Sequence, residues 1–396
     1  MLFTLPYLPT CREDDMYTMQ TPPEPRRWSR IPRQCLGACL LLPVLVQAQV
    51  ALQRSEHSVR HVSTAPALAG EPVDLYVREV SPVAAGERLP VLFIHGAGTP
   101  AEVAFDVPLA GQGWMAYLAE RGFATYAMDM TGYGRSTRPA AMADRCNLGQ
   151  EAQRQEFGTA CPPTHATALT TMASDWDDID AVVEFLKQRH GVEQVNLVAW
   201  SQGGPRSAGY AFQHPAKVNA VVVLAPAYNR RAAASATEAM LAGDAITKQS
   251  NEDFVKQWQG QAPCQRQYDP TVSAVVWREM LASDPVGASW GSGVRRAPRV
   301  PTFGWTPAEV AATTTPMLLV AGLTDGQVNP ERVRELYADL GSSSKVLVEM
   351  PCASHNAMWE PDAAQLFDAS YQWLHSQTFR GSPRGEFTLD SSLDAP

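Results

Sequence analysis

The chain lacks an excess of positive charge: 32 lysines and arginines stand against 41 aspartates and glutamates in 396 residues, a formal charge of −9. A nucleic-acid binder needs a basic footprint to displace counterions from phosphates, so no nucleic-acid partner is expected. Long apolar runs are missing as well. The N-terminal run Cys35–Val46 stops well short of the ~20 residues a bilayer span needs, so no stable membrane anchor is expected. Cysteine is sparse, seven in all, and no Cys/His spacing resembles a zinc site. No metal and no other cofactor is expected. No internal repeat is visible, and the 45% hydrophobic and 18% charged residues are ordinary for a globular protein.

Arg26, Arg27, Arg30 and Arg33 precede that apolar run, and Val46-Gln47-Ala48 follows it. This order reads as a secretory signal cleaved after Ala48, with Met1–Thr18 lying upstream of a better-placed start at Met19. Residues 1–48 are therefore expected to be an extension and signal peptide, and the protein to be secreted or periplasmic. Cys146, Cys161, Cys264 and Cys352 would remain. Four thiols in an exported chain allow up to two disulfides in three connectivities. Cys146 with Cys161 closes a short loop and is the preferred pair, leaving Cys264 with Cys352.

Apolar runs alternate with longer amphipathic segments, the pattern of an α/β protein with a mostly parallel central sheet flanked by helices. Strands are expected at Val73–Val80, Pro90–Ile94, Ala124–Asp129, Val195–Ala199, Val218–Leu224, Met317–Val320 and Lys345–Met350. Helices are expected at Gly113–Arg121, Ser174–His190 (with Ser174 as N-cap), Gln202–His214, Pro330–Leu340 and Ala363–Gln377. The strand–helix rhythm stops between Tyr228 and Thr315, a stretch too long for a plain connection. The expected organisation is a core over 49–229, an inserted lid or cap over 230–315 and a second core part over 316–380. A disordered polar tail is expected over 381–396.

Within this pattern Val195-Asn196-Leu197-Val198-Ala199-Trp200-Ser201-Gln202-Gly203-Gly204 stands out. A buried strand runs into a serine flanked by small residues and then into a helix. A serine hydroxyl is a weak nucleophile, and a sharp strand-to-helix turn presents it to a base. Gly287-Ala288-Ser289-Trp290-Gly291 fits G-x-S-x-G in letters, but Pro285 sits where a strand should end, so Ser289 is read as a loop residue. Met317–Gly322 leads into Leu323-Thr324-Asp325, and Lys345–Met350 into Pro351-Cys352-Ala353-Ser354-His355. Phe93-Ile94-His95-Gly96-Ala97-Gly98 follows an early strand, and Asp129-Met130-Thr131-Gly132-Tyr133-Gly134-Arg135-Ser136 the next.

These five segments, in this order, resemble the α/β-hydrolase superfamily from about Val73 to Gln377, outside the insertion. The resemblance implies Ser201 as nucleophile, His355 as base and Asp325 as its orienting acid. It implies an oxyanion site at the backbone N–H of Gln202 and of Ala97 or Gly98, with His95 as scaffold. Ala199 in place of the usual first glycine is a mild departure. Trp200 and Tyr228 are the candidate substrate-binding residues, and Trp258, Trp277, Trp290 and Trp305 either line a pocket or pack the insertion. Superfamily members with aspartate at the elbow open epoxides or displace halide, whereas serine fits acyl transfer to water. The expected activity is hydrolysis of carboxylic esters, small or polymer-derived. The alternatives are an amidase, a lactonase or a C–C bond hydrolase on the same triad, and a non-catalytic binding protein. A dinucleotide oxidoreductase using Gly96-Ala97-Gly98 and Asp129 is a further alternative.

Overall fold

The structure is a computed structural model that describes residues 50–84, 86–109, 113–165, 168–231, 245–291, 293–296 and 305–394. The expected signal peptide lies outside the described residues. Eleven strands are described: β1 (Leu52–Val62), β2 (Pro72–Pro82), β3 (Val91–Ile94), β4 (Thr125–Met128), β5 (Val195–Trp200), β6 (Val218–Leu224), β7 (Thr247–Gln249), β8 (Val294–Arg296), β9 (Met317–Gly322), β10 (Lys345–Met350) and β11 (Arg384–Thr388). Nine form one sheet in the order β1-β2-β4-β3-β5-β6-β9-β10-β11. β2 runs antiparallel to β1 and β4, and every other pairing in the sheet is parallel.

Parallel strands buried on both faces need apolar side chains pointing both ways, and β3, β5 and β9 are buried throughout. Alternate residues divide between two clusters. Phe93, Val198, Val222, Val320 and Val348 pack on one side, and Leu92, Leu197, Val221, Leu319 and Leu347 on the other. The seven expected strands are present, as are helices at Trp114–Ala119, Met172–His190, Gly203–Gln213, Pro330–Asp339 and Ala363–Ser376. The second helix starts two residues earlier than its sequence suggests. Thr171 caps it, accepting from the N–H of Ser174, while the Ser174 hydroxyl takes the N–H of Thr171. Ser174 is thus the reciprocal member of a capping box and not the cap itself.

The tail over 381–396 is not a disordered segment where it is described. Arg384–Thr388 adds to β10 as a parallel strand, Ser391 and Ser392 bond Asp362, and Leu393 packs on Cys264 and Cys352. The free backbone edge of β10 supplies hydrogen bonds, so little apolar sequence is required. The insertion, for its part, packs no separate core among its described residues. Helices Asn251–Gln259 and Pro270–Ala282 send Phe254, Trp258, Val276, Trp277 and Met280 into the same cluster as the sheet, while β7 and β8 pair separately. Trp305 and Val310 belong to the opposite cluster.

Two disulfides close, Cys146–Cys161 and Cys264–Cys352. The second ties the insertion to the loop after β10.

Candidate active site

The parallel register brings the C-terminal ends of β3, β5, β6, β9 and β10 level, with Ile94 beside Ala199, Trp200 beside Leu224, Leu224 beside Val320 and Gly322 beside Met350. In open α/β sheets this edge is where ligands bind. Ser201 leaves β5 with φ +58°, a left-handed backbone unusual outside glycine and a mark of a strained functional turn. The turn is held by the Ser201 N–H donating to the Leu224 carbonyl at 2.9 Å, and by the Ser201 carbonyl accepting from Gly204 and Ala227. Gly203 lets the following helix sit against β3: a Cβ there would lie 2.4 Å from the Ile94 carbonyl oxygen and 3.2 Å from the Ala199 methyl. Alanine at 199 is therefore tolerated because residue 203 has no side chain.

Asp325 and His355 meet across the ends of β9 and β10. The His355 Nδ1–Asp325 Oδ2 distance is 2.8 Å, and both residues are buried. The other oxygen of Asp325 accepts the N–H groups of Gln327 and Val328, at 2.7 and 2.8 Å. The same carboxylate thus fixes its own turn and the imidazole. Trp200 supports the histidine from behind. Its indole N–H donates to the His355 carbonyl at 2.8 Å, and the two rings lie 5.2 Å apart.

Ser201, His355, Gln202, Ala97 and Trp200 line one cavity of about 460 Å³, together with Thr99, Phe254, Gln257, Val328, Asn356 and Trp359 among others. Gly98 turns the loop with φ +79° and does not reach this wall, so Ala97 is the better-placed of the two residues expected there. Tyr228 is not brought to the cavity. Its hydroxyl donates to Asp339 at 2.7 Å and its ring packs near Trp305, because the chain after β6 turns it toward the helix Pro330–Asp339, and Ala227 takes the place on the wall. Trp258, Trp277, Trp290 and Trp305 are packing residues: Trp277 stacks on Phe254, Trp258 meets it edge-on, and Trp290 lies against Phe157. Ser289 follows the short helix Pro285–Ala288, and its hydroxyl donates to the Val286 carbonyl.

His95 is fully buried beneath the loop. Nδ1–H donates to the Gly96 carbonyl at 2.7 Å, and Nε2 accepts the Met130 N–H at 3.1 Å. Burial, aided by the Arg206 charge, pushes its pKa down to about 3, so it stays a neutral scaffold. Asp129 accepts the N–H groups of Ala101 and Arg135, which occupies the carboxylate a ribose hydroxyl would need.

Three supporting residues escaped sequence reading. Arg206, buried on the helix Gly203–Gln213, pairs with buried Asp175 at 2.6 Å and donates to the carbonyls of His95 and Gly96. It thereby fixes the loop that carries Ala97. Glu360 sits behind the His355 loop, where burial pushes its carboxyl above the ordinary range against the pull of its hydrogen-bond donors. Gln267 reaches from the insertion to Thr324 and Glu360. A charged residue inside an apolar stretch, as in Ala357-Met358-Trp359-Glu360, was the available signal for the second.

Sheet and site together define an α/β-hydrolase with serine at the elbow. Residues 87–362 match the family described as serine aminopeptidase, S33, and the chain belongs to that family of serine hydrolases. Among solved structures, it resembles the monoacylglycerol lipase of Paleococcus ferrophilus, with 21% identity over 77% of this chain and 99% of that one and a TM-score of 0.51. It also resembles a thermophilic esterase from Thermogutta terrifontis, with 16% identity over 81% and 98% of the two chains and a TM-score of 0.50. At these identities the likeness carries the fold alone. No curated protein matches the sequence.

Proposed function

We propose that the protein hydrolyses carboxylic esters through an acyl-enzyme on Ser201. The observation that carries this reading is the 2.8 Å contact between His355 and Asp325 at the wall of the cavity that Ser201 also lines. His355 takes the Ser201 proton as the hydroxyl attacks the ester carbonyl, and then gives it to the departing alcohol. Water, activated by the same imidazole, releases the acid and restores Ser201. Asp325 holds the ring and stabilises its charged form. The N–H groups of Gln202 and Ala97 receive the oxyanion. Trp200 and the neighbouring aromatic wall contact the substrate.

The family description keeps an amide reading in play, since an aminopeptidase must hold a free α-ammonium. Among the described residues the only ionisable side chain on the cavity wall is His355. An ammonium would meet no carboxylate there, which favours a neutral ester. The two disulfides accord with folding outside the reducing cytoplasm, and with export directed by residues 1–48.

Hydrolysis of p-nitrophenyl esters, acetate through decanoate, by the chain from Gln49 tests the reading. Ser201→Ala should lower turnover on the order of a million-fold. Activity that survives this substitution overturns the assignment of the nucleophile, and faster cleavage of alanine p-nitroanilide than of any ester overturns the ester assignment.

A further inference from the structure

Glu360 has no part in the steps above, yet its carboxylate is only 2% exposed and bonded on every side to neutral donors. Ser354 donates through its hydroxyl at 2.5 Å and its backbone N–H at 2.9 Å, Trp258 through its indole at 2.8 Å and Gln267 through its amide at 3.2 Å. Four donors face two oxygens. The backbone, indole and amide N–H groups can only donate, and the Ser354 hydroxyl already accepts the Asn356 N–H at 3.1 Å, so the ionised form is the one that satisfies all four donors. No arginine or lysine among the described residues bonds it, and a buried charge without a bonded cation is costly. Ser354, which it binds twice, immediately precedes His355. The titratable residues flanking it along the chain are His355, with Asp325 bonded to it, and Asp362, which is held by Ser391 and Ser392. The insertion brings only uncharged Trp258 and Gln267 to this carboxylate.

From this juxtaposition we propose that Glu360 is a positioning residue for His355. It fixes the histidine's loop and places a second buried negative charge behind the imidazolium that forms when Ser201 gives up its proton. The proton passes from Ser201 Oγ to His355 and then to the leaving group. Glu360 receives none, and its charge lowers the energy of the protonated ring in a low-dielectric setting. This inference rests on His355 acting as the base.

The test compares Glu360→Gln and Ser354→Ala with the wild type and with Ser201→Ala, on one p-nitrophenyl ester across pH 4–9. Glu360→Gln should lower kcat about ten- to a hundredfold with KM changed less than about twofold. The acid limb of its kcat profile should move down by roughly one pH unit, because the imidazolium loses a neighbour that favours it. Ser354→Ala keeps the charge and should lower kcat while leaving the limb in place. An unmoved limb in folded Glu360→Gln overturns the proposal, even if that variant melts early. Should Glu360→Gln not fold, Ser354→Ala decides: a lowered kcat with an unmoved limb supports the proposal, and an unchanged kcat overturns it. Full activity in Ser201→Ala would instead overturn the triad reading, which keeps the two failures apart.

Discussion

Adding one methyl group at Gly203 probes the elbow more sharply than removing its serine, because the required displacement can be worked out. A Cβ at 203 would stand 2.4 Å from the Ile94 carbonyl oxygen, 3.1 Å from that of His95 and 3.2 Å from the Ala199 methyl. Ordinary contact begins at 3.4 Å, so the helix must lift by 3.4 − 2.4, or about 1 Å, from β3. Neither neighbour can yield, since Ile94 and Ala199 are register partners in adjacent parallel strands. The helix carries the Gln202 N–H, and its start is continuous with Ser201. A misplacement of about 1 Å at a reacting group costs on the order of a hundredfold in rate, and overpacking of this kind costs about 1–3 kcal/mol in stability. The assay is kcat/KM on p-nitrophenyl butyrate, with a thermal melt and the rate of fluorophosphonate labelling of Ser201 to separate folding from geometry. Ala199→Gly is the control. It removes a methyl from the same crowded point, so it should cost only about 0.5–1 kcal/mol and leave the rate within about twofold. Gly203→Ala that melts with the wild type and keeps kcat/KM within about threefold would refute the close-packing argument.

The two disulfides should differ in worth. Their sequence separations are 88 and 15, for which chain entropy gives about 4.5 kcal/mol to Cys264–Cys352 and about 3 kcal/mol to Cys146–Cys161. Urea unfolding of the two double-serine variants checks the order, and a reversed order would count against the entropic account. His95 supplies a pH dependence. Its folded pKa is depressed to about 3, against about 6.5 unfolded. The unfolded chain therefore binds the extra proton between these values, and stability falls as pH drops from about 6.5 toward 3, by up to about 1.4 kcal/mol per unit. Urea midpoints of the wild type and His95→Gln should converge as the pH is lowered through that window; parallel curves would rule the linkage out.

The elbow and the candidate residues Ser201, Asp325 and His355 could be singled out because three apolar strands end, in fixed chain order, at a serine, an aspartate and a histidine. β1 was not readable. His57 and His61 point inward on it and pair with Glu79 at 2.6 Å and Asp178 at 2.8 Å, so on that face Val59 alone is a buried apolar residue and no apolar alternation shows. β11 was hidden for a different reason, since Arg384–Thr388 is largely exposed or half-buried and is held mainly by main-chain pairing to β10. Tyr228 shows a limit of adjacency as an argument. It follows a strand that ends at the site, but a carboxylate on a neighbouring helix captures its hydroxyl. Glu360 stands out as a charge in an apolar stretch, but its donors Trp258 and Gln267 lie 102 and 93 residues away, and no local pattern announces that meeting.

The pairing of β11 with β10 bears on how the protein is made. Arg384–Thr388 leaves the ribosome after every other strand of the sheet. Until then β10 presents an open row of N–H and C=O groups, with fully apolar neighbours beside it. Such a row is a template for pairing with another copy. Prematurely terminated products that stop after Gln377 would carry the whole candidate site and still be prone to aggregate.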